Sequence, residues 1–507
     1  MTMGFSTIFK VLGILFTGLV IVTILRALTI QDLVKFSKSP RKSDNFLTKD
    51  SEVGAYAERL AASLRIQTVS YNTDQLDRGD FIKLHQFLED SFPLVHSSPN
   101  ISREFINTYS LLYKISGSNT ELKPYLLAAH LDVVPANGSW SVNPFDGVIK
   151  DGVIYGRGAI DDKHSVMGIL EALEYLLREG FEPQRTFYIA FGHDEELTGQ
   201  QGAHVIGQTL LQRNVDLDFV LDEGFYYLKD LVTGVTSYPV AMIGISEKGW
   251  LELELSTAMP PGHSSIPPLE SALGVLAKGV ANLEANRHPS MFGKGPEYDM
   301  FSSIAPYADP FYRYLFANLW LFQPLFVRVL SQKPVTDSFH RTATAITIFQ
   351  SGYKNNVIPG SAKAIVNHRV HPAQTLEDVL AHDKKAIGDE RVEIRVRKYI
   401  PPMPISPYGE EEEIYRLIGD TALQICPDCA VAPGISPANT DLKHYVKLTK
   451  KLYRFSPAFV DPITLPGLHG DDERLSVRDY KKVIDFYLKF ILNADDYHLF
   501  LKKKDEL

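Results

Sequence analysis

Histidines and carboxylates recur in this chain at the ends of short apolar runs. Residues 125–129 (YLLAA) lead into His130-Leu131-Asp132. Residues 186–191 (TFYIAF) lead into Gly192-His193-Asp194-Glu195-Glu196. Residues 218–221 (DFVL) stop at Asp222-Glu223-Gly224, and the loop 155–163 (YGRGAIDDK) lies between the first two runs. A late Gly467-Leu468-His469-Gly470 adds another imidazole. Hydrolytic zinc takes histidine nitrogen and carboxylate oxygen when it must keep a position open. Two zincs about 3.5–4 Å apart need a shared carboxylate between them, and the attacking water needs a base. His130, Asp161, Glu196, Asp222 and His469 offer the ligands, and Glu195 stands beside one of them as a base. In His-x-Asp, Asp132 can hold the ring of His130. A lone His-x-Asp or Asp-Glu-Glu is ordinarily a solvated accident; at the ends of successive strands they argue jointly for a metal site.

Apolar runs of this length, bounded by turns, fit strands covered on both faces. Ligands of an open α/β sheet gather beyond the carboxyl ends of such strands. Helical spacing marks residues 53–66 and 81–92, and strands are expected at 111–116 and 125–130. Residues 165–178 form an amphipathic helix just after Asp161-Asp162. Strand, loop, helix and strand in that order predict an α/β fold with a mostly parallel central sheet. The pattern changes near residue 246. Residues 250–256, 344–350, 362–370 and 391–399 alternate as half-buried antiparallel strands do, with a helix at 270–284. We therefore expect a targeting segment at 1–30, a linker at 31–50 and a first domain at 51–245. An inserted α+β domain at 246–400 follows, then the first domain again at 401–495 and a charged tail at 496–507. The resumed part carries a helix at 410–425, a strand at 452–455 and a helix at 476–493. Residues 311–330 (FYRYLFANLWLFQPLFVRVL) stand out within the insert as crowded with aromatics and leucine.

Composition narrows the functional classes. The chain has 507 residues, 45% hydrophobic and 22% charged, with a net charge of -9. No basic footprint for nucleic acid is present. Residues 11–25 carry no charge between Lys10 and Arg26, a run of signal-peptide length and short for a membrane span. It reads as a signal peptide or an uncleaved signal anchor, and either sends the chain into the secretory pathway. Sequons at Asn100 and Asn137 agree with glycosylation there, and Lys504-Asp505-Glu506-Leu507 matches a retrieval signal for the endoplasmic reticulum lumen. Secretion and retention are thus both open. Cys426 and Cys429 could be a tight disulfide, a redox pair or two thiols; structural or incidental roles are favoured, since a zinc ribbon needs a second pair.

Taken together, AAHLDVVP, YGRGAIDDKHSV, FGHDEE, VLDEG, GHSS, NVIPG, NHRVHP and LHGDDE resemble the two-zinc peptidase family of aminoacylase, carboxypeptidase S and bacterial glutamate carboxypeptidase. The resemblance runs from about residue 50 to 495. It implies a zinc-peptidase catalytic domain interrupted by a lid domain. His130, Asp161 and Asp222 would hold one zinc, and Asp161, Glu196 and His469 the other, with Asp161 bridging. Glu195 would be the general base, Asp132 the residue that positions His130, and His263 the group that polarises the scissile carbonyl. Asn356 and Arg369 would meet the substrate carboxylate. The peptide after Asp161 would be cis. His164 and Asp472 depart from the common pattern; we expect His164 to be solvated, and Asp472 to add charge near His469.

The SEKG strand, the WLF-P segment and the NVIP loop point, within that family, to hydrolysis and reversible formation of N-fatty-acyl amino acids from fatty acids and amino acids. Residues 311–330 would receive the acyl tail, and a homodimer through the lid and contact with a lipid surface stay open. One rival is a secretory metallo-carboxypeptidase or dipeptidase. Another is a non-catalytic binding protein on the same fold, which would be expected to have lost Glu195 or a ligand.

Overall fold

The apolar runs become strands because their alternate side chains have two separate cores to enter. Tyr125–His130 and Phe187–Gly192 are buried at every position. Tyr125, Leu127, Ala129, Phe187, Ile189 and Phe191 enter one core. Leu126, Ala128, Tyr188 and Ala190 enter the other. The first core is closed by helices Lys163–Arg178 and Val477–Asp505, the second by helix Ala203–Gln212. A sheet covered on both faces reads as continuous apolar runs.

The computed structural model describes residues 5–37, 42–72, 75–76, 78–230 and 235–505. Its main sheet has ten strands. Four at the centre are parallel: Leu452–Arg454, Val220–Asp222, Tyr125–His130 and Phe187–Gly192. Ser110–Ile115 and Ile101–Ile106 extend one side antiparallel. On the other side Val240–Glu247 pairs with Ala430–Ser436 in parallel; the sequence pattern marks only the SEKG end of the first strand and none of the second.

A second sheet is antiparallel, in the order Ala343–Ser351, Ser361–Val370, Gly249–Ala258, Glu393–Ile400. Gly249–Ala258 alternates buried with half-buried positions. Its Leu251, Leu253 and Leu255 pack under helices Ala272–Ala285 and Leu376–Ile387, each contributing about 1.5–3 kcal/mol when fully buried.

Residues 311–330 fold as two helices, Pro310–Ala317 and Leu319–Leu330, joined at Asn318. They do not join the core of the second sheet, whose apolar face is already covered by its own two helices. Phe316, Leu319, Phe326 and Leu330 pack instead with Val240, Met242, Ala430 and Ala432 of the main sheet. The N-terminal helix Phe5–Thr29 reaches the same place. Its residues Phe9–Thr29, 21 residues of mean hydropathy 2.4, are long and apolar enough to cross a membrane. Thr23 Oγ1 lies 2.9 Å from the Tyr314 hydroxyl, Arg26 Nε donates to the Ala317 carbonyl, and Asn318 Nδ2 donates to the Thr23 carbonyl. Cys426 and Cys429 form a disulfide at the end of helix Glu413–Ile425.

Candidate active site

The four parallel strands end at one edge, and the loops beyond them carry the chemistry. His130 is the last residue of its strand. Its Nδ1 donates to the Asp132 carbonyl at 2.8 Å, which turns Nε2 toward the Asp161 loop. Nε2 lies 2.9 Å from Asp161 Oδ1. The other oxygen of Asp161 lies 3.1 Å from His469 Nε2, and Glu196 Oε2 lies 3.3 Å from the same nitrogen. Asp161 therefore turns one oxygen to each histidine, the disposition a carboxylate between two cations needs.

Asp132 acts mainly through its carboxylate on the neighbouring loop. Oδ1 accepts from the Glu195 N–H at 3.0 Å, and Oδ2 accepts from the Glu196 N–H at 3.2 Å and the Ser70 hydroxyl at 2.7 Å. The short helix Glu195–Leu197 is thereby held against the strand end of His130. The peptide Asp161–Asp162 is cis, as the resemblance implies.

Glu473 is a positioning residue that the sequence reading does not single out. It is fully buried and ion-paired with Arg157 at 2.8 Å. Its Oε2 accepts from Gly158 N–H, and its Oε1 from Ile160 N–H and Asp161 N–H, at 2.6–3.0 Å. Arg157 Nη2 donates in turn to the Gly470 carbonyl at 2.8 Å. One ion pair thus fastens the loop of Asp161 to the loop of His469. The available signal is the third consecutive acid of Asp471-Asp472-Glu473, which by composition alone reads as a solvated run.

The electrostatics ask for cations. Burial pushes Glu195 and Glu223 well above the usual carboxyl range, and Glu196 upward as well. Burial also raises Asp161, but His130 and His469 overcome it and hold that carboxyl well below its usual range. Hydrogen bonds to Asp161 and Glu196 push His469 up to about 10. Glu196 Oε1, Asp222 Oδ2 and both Asp162 oxygens are buried without a hydrogen-bond partner. Buried carboxylates without partners are costly, and ligation satisfies them. Donor type, spacing and unmet oxygens all fit divalent metal.

Among the described residues the expected ligand Asp222 makes no ion pair with a histidine of the cluster, whereas its neighbour Glu223 makes one. Asp222 Oδ1 accepts from the Glu223 N–H at 2.9 Å, and Asp222 joins none of the metal-capable groups among the described residues. Glu223 is the residue that faces His130, with Oε1 at 3.8 Å from Nε2, and it groups with His130 and Asp162. Glu223 follows directly on the strand Val220–Asp222, so the two adjacent carboxylates leave the strand end at different places. His164 is fully buried, contrary to the expectation of a solvated residue, because the helix it opens lies under the main sheet; burial holds its pKa down to about 3. Asp472 spends Oδ1 on the Ser141 N–H and hydroxyl.

Of the expected substrate residues, Arg369 lies on the second sheet, and His263 and Asn356 lie on or beside a separate two-stranded ribbon. His263 is exposed on the ribbon Gly262–His263 with Val357–Ile358, next to Asn356, whose carbonyl accepts from Ser264 N–H. Arg369 stacks over Trp250 at 4.3 Å and donates to Asn439 Oδ1 at 3.4 Å. Among the described residues, no hydrogen bond or ion pair joins His263, Asn356 or Arg369 to the cluster around Asp161.

Comparison with known proteins agrees with this construction. The profile of peptidase family M20/M25/M40 matches residues 126–493. The N-fatty-acyl-amino acid synthase/hydrolase PM20D1 of Xenopus tropicalis is 42% identical over 480 residues, covering 94% of this chain and 93% of that protein. The probable carboxypeptidase S-like 2 of Dictyostelium discoideum is 43% identical over 467 residues, covering 90% and 88%. The crystal structure of an M20 family metallo-carboxypeptidase, Sso-CP2 from Sulfolobus solfataricus, has a TM-score of 0.61 at 19% identity, with 88% of this chain and 100% of that one covered. Human carnosine dipeptidase 1 has a TM-score of 0.60 at 13% identity, covering 88% and 97%. At such identities these two structures speak to the fold alone.

Proposed function

The chain belongs to peptidase family M20/M25/M40, a family of metal-dependent hydrolases of amide bonds, and from that premise we propose that it hydrolyses, and reversibly forms, N-fatty-acyl amino acids. Its relatives at 40–42% identity over most of the chain carry the name of that activity in Xenopus, mouse and human. The observation that carries the reading to this chain is a physical connection. Glu223 beside the cluster is followed two residues later by Phe225, which packs against the aromatic core of Phe316 and Phe326. An acyl tail leaving the amide on that side meets apolar surface. Each buried methylene contributes about 0.8 kcal/mol, so tail length would govern affinity.

Two zincs would be held by His130, Asp161 and Glu223 and by Asp161, Glu196 and His469, with Asp222 as the alternative to Glu223. Bound there, the metals would supply Lewis acidity and lower the pKa of a water. Glu195 takes a proton from the attacking water and later delivers it to the leaving nitrogen. Asp132 keeps Glu195 in place through its backbone N–H. His263 would polarise the amide carbonyl, and Asn356 and Arg369 would receive the carboxylate, Arg369 through its planar fork. Residues 246–400 would serve as the lid that brings these groups in. His263 is exposed, so either closure of this lid or a homodimer through it must deliver the imidazole.

A lipid surface fits the outer side of the same region. Leu321, Leu325 and Val329 form an exposed stripe at i, i+4 and i+8, next to the N-terminal apolar helix. Together they suit a chain held in the secretory pathway by an uncleaved anchor. Asn100 and Asn137 are exposed, as glycosylation requires. The retrieval signal ends on Glu506 and Leu507, which lie outside the described residues.

The deciding experiment is turnover by the purified chain on oleoyl-, octanoyl- and acetyl-amino acids beside dipeptides. Long-chain acyl-amino acids should have the highest kcat/KM, and free fatty acid plus amino acid should give the same amide. Preference for dipeptides would replace this reading with that of a carboxypeptidase or dipeptidase.

A further inference from the structure

A second group of metal-capable side chains lies in the second sheet and shares no residue with the cluster described above. His288 follows the helix Ala272–Ala285, His368 sits on the strand Ser361–Val370, and Asp383 sits on the helix Leu376–Ile387. Their side chains are fully buried. His288 Nε2 lies 3.1 Å from Asp383 Oδ1, and His368 Nε2 lies 2.9 Å from Asp383 Oδ2. Yet neither contact has the direction of a hydrogen bond. Both Nε2 atoms and both carboxylate oxygens are buried without a hydrogen-bond partner. Close approach with wrong direction is what nitrogen and oxygen atoms show when they point at a common third centre.

We propose that His288, His368 and Asp383 bind a divalent transition metal, zinc by preference, as a buried three-ligand site. Two imidazoles and a carboxylate are a zinc donor set. Ligands about 2.0–2.1 Å from zinc stand roughly 3.3 Å apart in a tetrahedron, close to the separations found here. The tautomer of His368 is compatible, since its Nδ1 lies 3.0 Å from the Thr344 hydroxyl and can donate to it, leaving Nε2 for the metal. The supporting elements are rigid. Helix Leu376–Ile387 opens with a capping box of Thr375 and Asp378 and closes on Gly388 at φ 66°. The ring of His382 lies 4.0 Å from that of His288 and is anchored by the Asn286 carbonyl. The only ion-pair partners of Asp383 among the described residues are these two histidines, so no lysine or arginine balances this buried carboxylate. A metal there staples helix to strand one residue from Arg369, and it does not depend on the acyl-amino acid reading.

The test is the metal content of the full-length purified chain after gel filtration in metal-free buffer, measured by elemental mass spectrometry. Asp383→Asn should carry one equivalent less than wild type, keep the metal that supports turnover, and unfold at a lower temperature. His130→Ala with His469→Ala, loaded with cobalt, should still show the visible absorption of a tetrahedral site, and Asp383→Asn in that background should abolish it. Should Asp383→Asn not fold, His288→Gln, beyond the end of its helix, carries the same comparison. Equal metal content in wild type and variant, or a cobalt spectrum indifferent to Asp383, overturns the proposal and leaves a buried histidine–aspartate cluster without metal.

Discussion

Two clusters of histidine and carboxylate are built here on opposite principles. The cluster around Asp161 stands on loops beyond parallel strands; Glu196 is nearly buried, but the side chain of His469 is 55% exposed. The cluster around Asp383 stands on a strand, a helix and a segment just beyond a helix, and all three side chains are 0% exposed. The first has a spare acid beside its ligands, Glu195, while the neighbour of the second, His382, is spent on the Asn286 carbonyl. That is the difference between a site open to water and substrate and one shut away from both. It also separates where precision comes from. In the closed cluster, regular backbone sets the geometry. In the open cluster, buried side chains must do so, and Asp132 and Glu473 bind backbone N–H groups for that purpose.

The comparison breaks most sharply at Glu195. Glu195→Gln should lower kcat by roughly a hundredfold or more while metal content and Tm stay near wild type. Turnover within a few-fold of wild type would remove Glu195 from the proton transfer. Glu473→Gln comes next. It leaves Arg157 with a neutral partner, and loss of such a supporting partner typically costs about 10–100-fold in metal affinity or activity. Competition with a chelator reads that effect; unchanged affinity would mean the loop of Asp161 holds itself. Glu223→Gln against Asp222→Asn sharpens the open cluster further. The larger loss of metal should fall on Glu223, and the reverse order would restore Asp222 as the ligand.

Acidity gives a smaller, graded effect. His469 is raised to about 10 in the metal-free chain, so it is protonated at pH 7 and must release that proton to bind metal. Apparent affinity should therefore fall by about tenfold per pH unit for each proton released as pH drops from 8 to 6. Titration calorimetry in buffers of different ionisation enthalpy counts the protons. In the metal-free chain the same raised pKa stabilises the fold fully below the ordinary histidine value, and that contribution is lost as pH rises through about 10. No proton release at pH 7 would show that His469 is not a ligand. The smallest effect is expected at the apolar helices. Trp320→Ala with Phe322→Ala should raise KM a few-fold for oleoyl-amino acids and leave acetyl-amino acids unchanged. Equal changes on both, following a fall in Tm, would mean that these rings serve only packing.

Much of the open cluster is legible in the chain because His130 and Glu196 follow short apolar runs and Asp161 and His469 sit in Gly-containing loops. His130, Asp161, Glu196 and His469 can be named from residue type and local pattern, and a sheet buried on both faces follows from uninterrupted apolar strands. Other features need the third dimension. Whether Asp222 or Glu223 faces His130 turns on how each side chain leaves the strand end, and both are carboxylates. Ala430–Ser436 contains Pro433 and Gly434 and shows no alternation; only pairing with Val240–Glu247 makes it a strand. Glu473 looks like one acid among three until Arg157, 316 positions away, meets it in the interior. His288, His368 and Asp383 have no common motif, since three separate elements carry them. Local pattern records what the backbone does over a few residues, so it fixes strands, helices and the chemistry at their ends. Which distant groups share a desolvated space is decided by packing, and with it the charges that must be balanced there.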